Sequence, residues 1–177
     1  VPAYGTRWGW HRLADRWAHQ LVADAEIDPG QLVLDIGAGT GALTAPLVEA
    51  GARVVAVELH PHRLDVLRRR FAGDRVTVVR ADARSLRLPR RPFRVVASPP
   101  YAATSLILKR LLAPSSHLVA ADLLLQHQAA ARWAGGRAPG AGRWARDFDV
   151  RLGRRVPRRA FDPRPPVDNR VLVVRRR

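Results

Sequence analysis

Apolar residues recur at Leu13, Trp17, Leu21, Val22 and Ala25, a spacing of three and four that predicts an amphipathic helix over residues 11–26. Asp28, Pro29 and Gly30 follow and stop it. The pattern then changes. Short runs of Val, Leu and Ile predict strands over residues 32–36, 54–57, 76–79 and 93–97. Between them, longer mixed stretches predict helices over 42–50 and 61–71, the second opened by Pro61. A helix over 104–112, a fifth strand over 118–125 and a helix over 126–133 continue the series. Strands apolar at successive positions suit a sheet covered on both faces, and their alternation with helices is the signature of a doubly wound α/β fold.

Past residue 134 the alternation stops. Residues 135–143, rich in Gly, Pro and Arg, read as a loop, and 148–152 and 171–174 are expected to pair antiparallel across a proline-bearing connection, 157–167. The sequence ends at this last strand and shows no repeat or linker. The expectation is one domain over 1–177, with a helical segment at 1–30 ahead of a core at 31–177.

Composition narrows the chemistry. With 177 residues, 47% of them hydrophobic, the chain can bury a real core, and with no cysteine it has no disulfides, thiolate ligands or cysteine nucleophile. No apolar run approaches the roughly 20 residues of a membrane span, and no secretory leader is visible, so a cytoplasmic protein without membrane contact is expected. His60, His62, His117 and His127 lack the spacing of a ligand set, and no metal is expected. Charge is the loudest signal: 31 basic against 15 acidic residues give +16, and every basic residue except Lys109 is arginine. A GC-rich genome favours arginine over lysine but does not create net charge. Residues 132–177 hold 14 basic and 4 acidic residues, against 17 and 11 in the rest. A polyanionic partner fits this asymmetry, with Arg154, Arg155, Arg158 and Arg159 as the expected contacts and Arg7, Arg12 and Arg16 as the alternative. Trp133 and Trp144, among Arg132, Arg137, Arg143 and Arg146, either stack on unpaired bases or pack in the core.

Asp35-Ile-Gly37-Ala-Gly39-Thr-Gly41 follows the first predicted strand and precedes a helix. Glycines there let the backbone turn tightly and approach a ligand, and the helix that follows offers free amide donors. The loop is ambiguous alone: Gly37, Gly39 and Ala42 also satisfy the dinucleotide fingerprint, and Glu58 stands where an acid would hold ribose hydroxyls in either site. Asp82 follows the third strand at a carboxyl end. Ser98-Pro99-Pro100-Tyr101 follows the fourth; its prolines donate no N–H and leave carbonyl oxygens free to accept from an amine, beside the flat face of Tyr101.

These residues, in this order, resemble the class I S-adenosylmethionine-dependent methyltransferases, and more closely the rRNA adenine N6-methyltransferases: the erythromycin-resistance (Erm) enzymes and the KsgA-type dimethyladenosine transferases. Phe161-Asp-Pro-Arg-Pro-Pro-Val-Asp168, followed by Val171-Leu-Val-Val174, is similar to the F-x-P-x-P-x-V-D-S segment that closes the catalytic domain in that group. The resemblance runs from about Trp10 to Arg177. It implies a Rossmann-like, mostly parallel seven-stranded sheet, S-adenosyl-L-methionine as cofactor, and a monomer that methylates an adenine N6 of 23S rRNA to give macrolide, lincosamide and streptogramin B resistance. By the same resemblance Asp35, Gly37, Gly39 and Gly41 form the loop at the methionine part of the cofactor, Glu58 binds the ribose, and Asp82 holds the adenine amine. Ser98 and the Pro99 carbonyl would receive the target amine, with Tyr101 and Phe161 on the two faces of the flipped base. His11 and Leu13 stand where the family's Gln-Asn-Phe-Leu contacts the cofactor.

The chain departs from the family in three places. Ser98 replaces the usual Asn, and Ser-Pro-Pro-Tyr also resembles the DNA cytosine N4-methyltransferases. Trp10-His11-Arg12-Leu13 replaces the N-terminal motif. The sequence stops before the small helical RNA-binding domain that most members carry, so a catalytic domain without it is expected, and in that it resembles the short actinobacterial Erm members. A DNA amino-methyltransferase, or a non-catalytic RNA-binding or ribosome-assembly factor, therefore stands as an alternative.

Overall fold

A computed structural model describes residues 10–73 and 75–177. The expected helix over 11–26 begins later: Arg12–Leu13 form a short strand, β1, and α1 spans Asp15–Ala25. β1 exists because β8, Phe161–Asp162, pairs with it antiparallel, a partner that local periodicity does not reveal. The core then alternates as the pattern requires: β2 (Leu32–Ile36), α2 (Thr44–Glu49), β3 (Arg53–Glu58), α3 (Pro61–Arg70), β4 (Val76–Arg80) and β5 (Phe93–Ala97). α4 (Thr104–Leu111), β6 (Leu118–Gln126), α5 (His127–Ala134), a short α6 (Ala141–Trp144), β7 (Phe148–Val156) and β9 (Asn169–Arg176) complete it. The segment expected to be only loop carries α6 because Trp144 buries there against Trp133, ring centroids 6.0 Å apart.

Seven strands form one sheet in the order β4-β3-β2-β5-β6-β9-β7. β2 pairs with β3 and β5, β3 with β4 and β5 with β6, all parallel, whereas β9 is antiparallel to both β6 and β7. Side chains alternate between the two faces of a strand, and both faces here are apolar. Val33, Val54, Val96 and Leu124 pack with α1 and α2, while Leu34, Val95, Leu123 and Leu172 pack with α4 and α5 on the other side. The chain leaves β2 toward β3 and returns to β5 on the opposite flank, so the crevice between the loops after β2 and β5 is the topological switch point where such sheets bind ligands.

Candidate functional site

That crevice is built from strand ends. β2 ends at Ile36, and the chain turns through Gly37 with φ 79°. A Cβ at Gly37 would lie 2.9 Å from Pro100 Cδ, so glycine there permits both the turn and the close approach of the proline motif. The amides of Gly37 and Ala38 donate to the Val57 carbonyl at 2.8 and 3.0 Å, tying the loop to β3. Asp35 is 1% exposed and accepts from Thr44 Oγ1, 2.7 Å away at the start of α2. Burial pushes the Asp35 carboxyl up to about 7, against the Thr44 bond and with the help of the Glu58 charge.

Glu58 closes β3 and is nearly as buried. Its Oε2 accepts the Gly39 amide at 2.9 Å, and its Oε1 accepts those of Leu59 and His60 at 2.9 and 2.8 Å. Each carboxylate oxygen has two lone-pair directions, so Oε2 keeps one for a further donor. Arg63 stands 3.8 Å from that oxygen and lies over the Trp10 ring. Asp82, beyond β4, accepts from its own neighbour: Arg84 Nη2 donates to Oδ2 at 2.6 Å and the Arg84 amide to Oδ1 at 2.8 Å. This guanidinium holds the Asp82 carboxyl below the usual carboxylate range.

After β5 the motif Ser98-Pro99-Pro100 leads into a 3₁₀ turn, Tyr101–Ala103, closed by the Ala103 amide on the Pro100 carbonyl at 2.9 Å. The half-buried Tyr101 donates its O–H to Asn169 Oδ1 at 3.0 Å. His11 stacks on its ring, centroids 5.8 Å apart, and donates Nδ1–H to the Pro163 carbonyl at 2.7 Å.

His11, Leu13, Asp35, Gly37, Glu58, Asp82, Ser98, Pro99 and Tyr101 thus line one cleft. Three residues expected with them do not line it. Gly39 lies beneath Trp10, whose Nε1 would be 2.5 Å from an added Cβ, and Gly41 packs on Phe71 at the same separation. Phe161, 5% exposed, packs in the core on the α1 side and is not among the residues lining the cleft. Of the four arginines expected to meet RNA, three have intramolecular partners. Arg154 Nη2 donates to Asp24 Oδ1 at 2.9 Å, Arg155 to Asp168 at 2.7 Å and Arg158 to the Pro166 carbonyl at 3.1 Å; Arg159 is exposed. Trp133 and Trp144 are buried, which assigns them to the core and not to a base platform. Arg7 lies outside the described residues.

Sequence reasoning missed Trp10, Thr44, Arg63, Arg84 and Asn169 as parts of this site. Asn169 is 1% exposed, and its Nδ2 has no hydrogen-bond partner among the described residues. A signal for it existed: it fills the last position of the F-x-P-x-P-x-V-D-S segment, with Asn in place of Ser. Among the described residues no group of three or more His, Asp or Glu side chains is arranged to hold a metal, and no helix is long and apolar enough to cross a membrane.

A cleft at the switch point of this seven-stranded sheet, closed by an antiparallel strand, defines the class I S-adenosylmethionine-dependent methyltransferase fold. The match is more particular than a fold: a family described as ribosomal RNA adenine dimethylase covers residues 6–177, and the chain belongs to it. An rRNA methyltransferase of Streptomyces thermotolerans is 37% identical over 96% of this chain and 58% of its own length. The mycinamicin-resistance protein MyrB of Micromonospora griseorubida is 37% identical over 100% of this chain and 58% of its own. The crystal structure of the 23S rRNA methyltransferase ErmE superposes with a TM-score of 0.79 at 31% identity, covering 92% of this chain and 68% of that one. The chain therefore spans somewhat under three-fifths of these curated relatives.

Proposed function

We propose that the chain carries out S-adenosylmethionine-dependent N6-methylation of an adenine in 23S rRNA, giving resistance to macrolides, lincosamides and streptogramin B. The observation that carries this reading is the convergence of Gly37, Glu58, Asp82 and the Ser98–Tyr101 motif in one cleft of a chain from the rRNA adenine dimethylase family. The residues present fit the cofactor. Gly37 opens the backbone to close approach, Glu58 keeps a lone pair for a ribose hydroxyl, and Asp82 can take an adenine amine by sharing its carboxylate with Arg84.

When bound, the cofactor would supply a methyl group on a sulfonium, which departs as a neutral thioether as the N–C bond forms and the amine releases one proton to solvent. The protein's task is to aim the amine. An aromatic amine is a poor nucleophile because its lone pair is delocalised into the ring; acceptors on its N–H bonds favour a localised pair. The Ser98 hydroxyl and the Pro99 carbonyl are suited to that role, and Tyr101, held at its O–H by Asn169, offers a fixed aromatic wall for a base drawn from its stack. Removing the base from its stack costs a few kcal/mol, which aromatic contact offsets in part.

A second reading has its own support, because relatives named ribosomal RNA small subunit methyltransferase A are 34% and 37% identical over nearly the whole chain. Primer extension over both rRNAs from expressing, macrolide-challenged cells tests the two together. The expected result is a new stop or modification at one 23S adenine together with survival. Modification of small-subunit rRNA alone would move the assignment to that substrate. Methylated DNA with unmodified rRNA would overturn both.

A further inference from the structure

The cleft lies at the carboxyl ends of the parallel strands; the opposite ends carry a second concavity. Arg53 opens β3, Arg75 immediately precedes β4, and Arg91 stands two residues before β5. All three are exposed and line one pocket with Leu32, Val55 and Thr77. Their backbones are fixed by the sheet: the Arg53 amide donates to the Gln31 carbonyl at 2.8 Å, and the Arg75 carbonyl accepts the Val54 amide at 2.9 Å. Arg53 and Arg91 also line the adjoining pocket with Arg94. The guanidinium of Arg94 is committed to the Ala25 and Glu26 carbonyls. Among the described residues, by contrast, Arg53, Arg75 and Arg91 make no ion pair and no side-chain hydrogen bond.

We infer that Arg53, Arg75 and Arg91 form a phosphate-binding site for the RNA backbone, separate from the catalytic cleft. Three planar guanidiniums on one concavity match the oxygens of a phosphodiester, and desolvating them costs no existing partner. Distance sets what the site reads. Arg53 and Glu58 are the first and last residues of β3, about 17 Å apart along a strand, so a phosphate here belongs to a different part of the RNA from the target base. A route joins the two ends. β4 is the outer strand on this flank, with Arg75 before its start and the exposed Arg80 at its cleft end. Arginines flanking an edge strand also discourage edge pairing, but that role does not require Arg53 and Arg91 to converge with Arg75. RNA as the source of the phosphate rests on the proposed function; the anion site itself does not.

The test is the variant Arg53→Gln/Arg75→Gln/Arg91→Gln, read with two probes. With a 23S rRNA fragment long enough to span the sheet, the log–log salt slope of binding should flatten by about 0.7–0.9 per lost contact, while S-adenosylhomocysteine affinity stays unchanged. Inorganic phosphate should shift the Nε–Hε resonances of these three arginines in the wild type and leave that of Arg94, whose guanidinium is already committed, in place. An unchanged RNA slope overturns the inference even if phosphate binds, since the pocket would then take small anions alone. If the wild type binds no RNA, the proposed function fails separately. Phosphate shifts at these three arginines and not at Arg94 would then still support the anion site, and their absence would overturn it.

Discussion

Two buried acids of the cleft and two acids paired with the arginines of β7 are held in opposite ways, whereas Asp82, in the same cleft, is paired with Arg84 as the latter are. In the cleft, Asp35 and Glu58 are buried and receive neutral O–H and N–H donors; burial drives the Asp35 carboxyl up to about 7. Around β7 and β9, Asp24 and Asp168 sit closer to solvent, and the guanidiniums of Arg154 and Arg155 hold their carboxyls below the ordinary range. Perturbation by burial inside a cleft marks a functional site. At Asp24 and Asp168 the exposed ion pair answers charge within the chain, and such pairs contribute little to stability. The positive excess counted over residues 132–177 therefore overstates what that region offers to RNA.

The largest expected effect sharpens this contrast through pH. The folded pKa of Asp35 lies above its ordinary value of 3.8, so its contribution to stability is complete below that value and is lost as pH rises through about 7. Asp35→Asn lacks the loss, and its amide oxygen can still accept from Thr44. Between pH 4 and 8 the variant should gain on the wild type by up to on the order of 4 kcal/mol, at about 1.4 kcal/mol per pKa unit. Denaturant unfolding across that range checks it. Parallel curves for the two proteins would mean that Asp35 is not desolvated.

Two glycines of one loop should separate next. Gly37 and Gly41 both have positive φ, at 79° and 93°, and alanine at either position is expected to cost about 1–3 kcal/mol. Their surroundings differ: an added Cβ meets the proline motif at Gly37 and the Phe71 ring at Gly41. Both variants should melt lower, but only Gly37→Ala should weaken S-adenosylhomocysteine by tenfold or more in calorimetry. Equal losses would show that Gly41 also shapes the cleft.

Legibility follows the range of the interactions. β2 and β5 have the ends that the pattern predicts because all but one position of each, Asp35 and Arg94, is apolar and each strand is covered on both faces. The cleft acids were legible because Asp35, Glu58 and Asp82 lie at or just beyond the carboxyl ends of predicted strands. β1 was not: Leu13 fits the helical stripe, and only β8, far along the chain, makes it a strand. The same limit hid Asn169 behind Tyr101 and Asp24 behind Arg154, since no local pattern encodes a partner from another element. Net charge was legible, but the distinction between committed and free arginines was not.

Tyr101→Phe ranks third. It strips the Asn169 oxygen, 1% exposed, of its Tyr101 donor, leaving both ends of the carboxamide without a partner among the described residues, and should cost about 1–3 kcal/mol. Single-turnover methylation should slow while S-adenosylhomocysteine affinity holds, because the O–H orients the wall offered to the base and not the cofactor loop. A loss of cofactor affinity equal to the loss of rate would place Tyr101 in general cleft packing.

The smallest effect tests the other half of the contrast. Arg154 and Asp24 are each more than a third exposed, so solvent screening limits their pair to about 0.2–1 kcal/mol. The Asp24 carboxyl is held below its ordinary value of 3.8, first by the Arg154 bond. Its stabilising contribution is therefore present above that pH and is lost as pH falls through the lower, folded value. A double-mutant cycle of Arg154→Ala and Asp24→Asn should give a coupling energy at pH 7 that fades toward pH 2. Because Asp24 already answers this guanidinium, Arg154→Ala alone should leave the salt slope of RNA binding nearly unchanged, unlike the loss of Arg53, Arg75 and Arg91. A slope flatter by a full contact would mean that Arg154 abandons Asp24 for a phosphate, and paired and unpaired arginines would then be equally available to RNA.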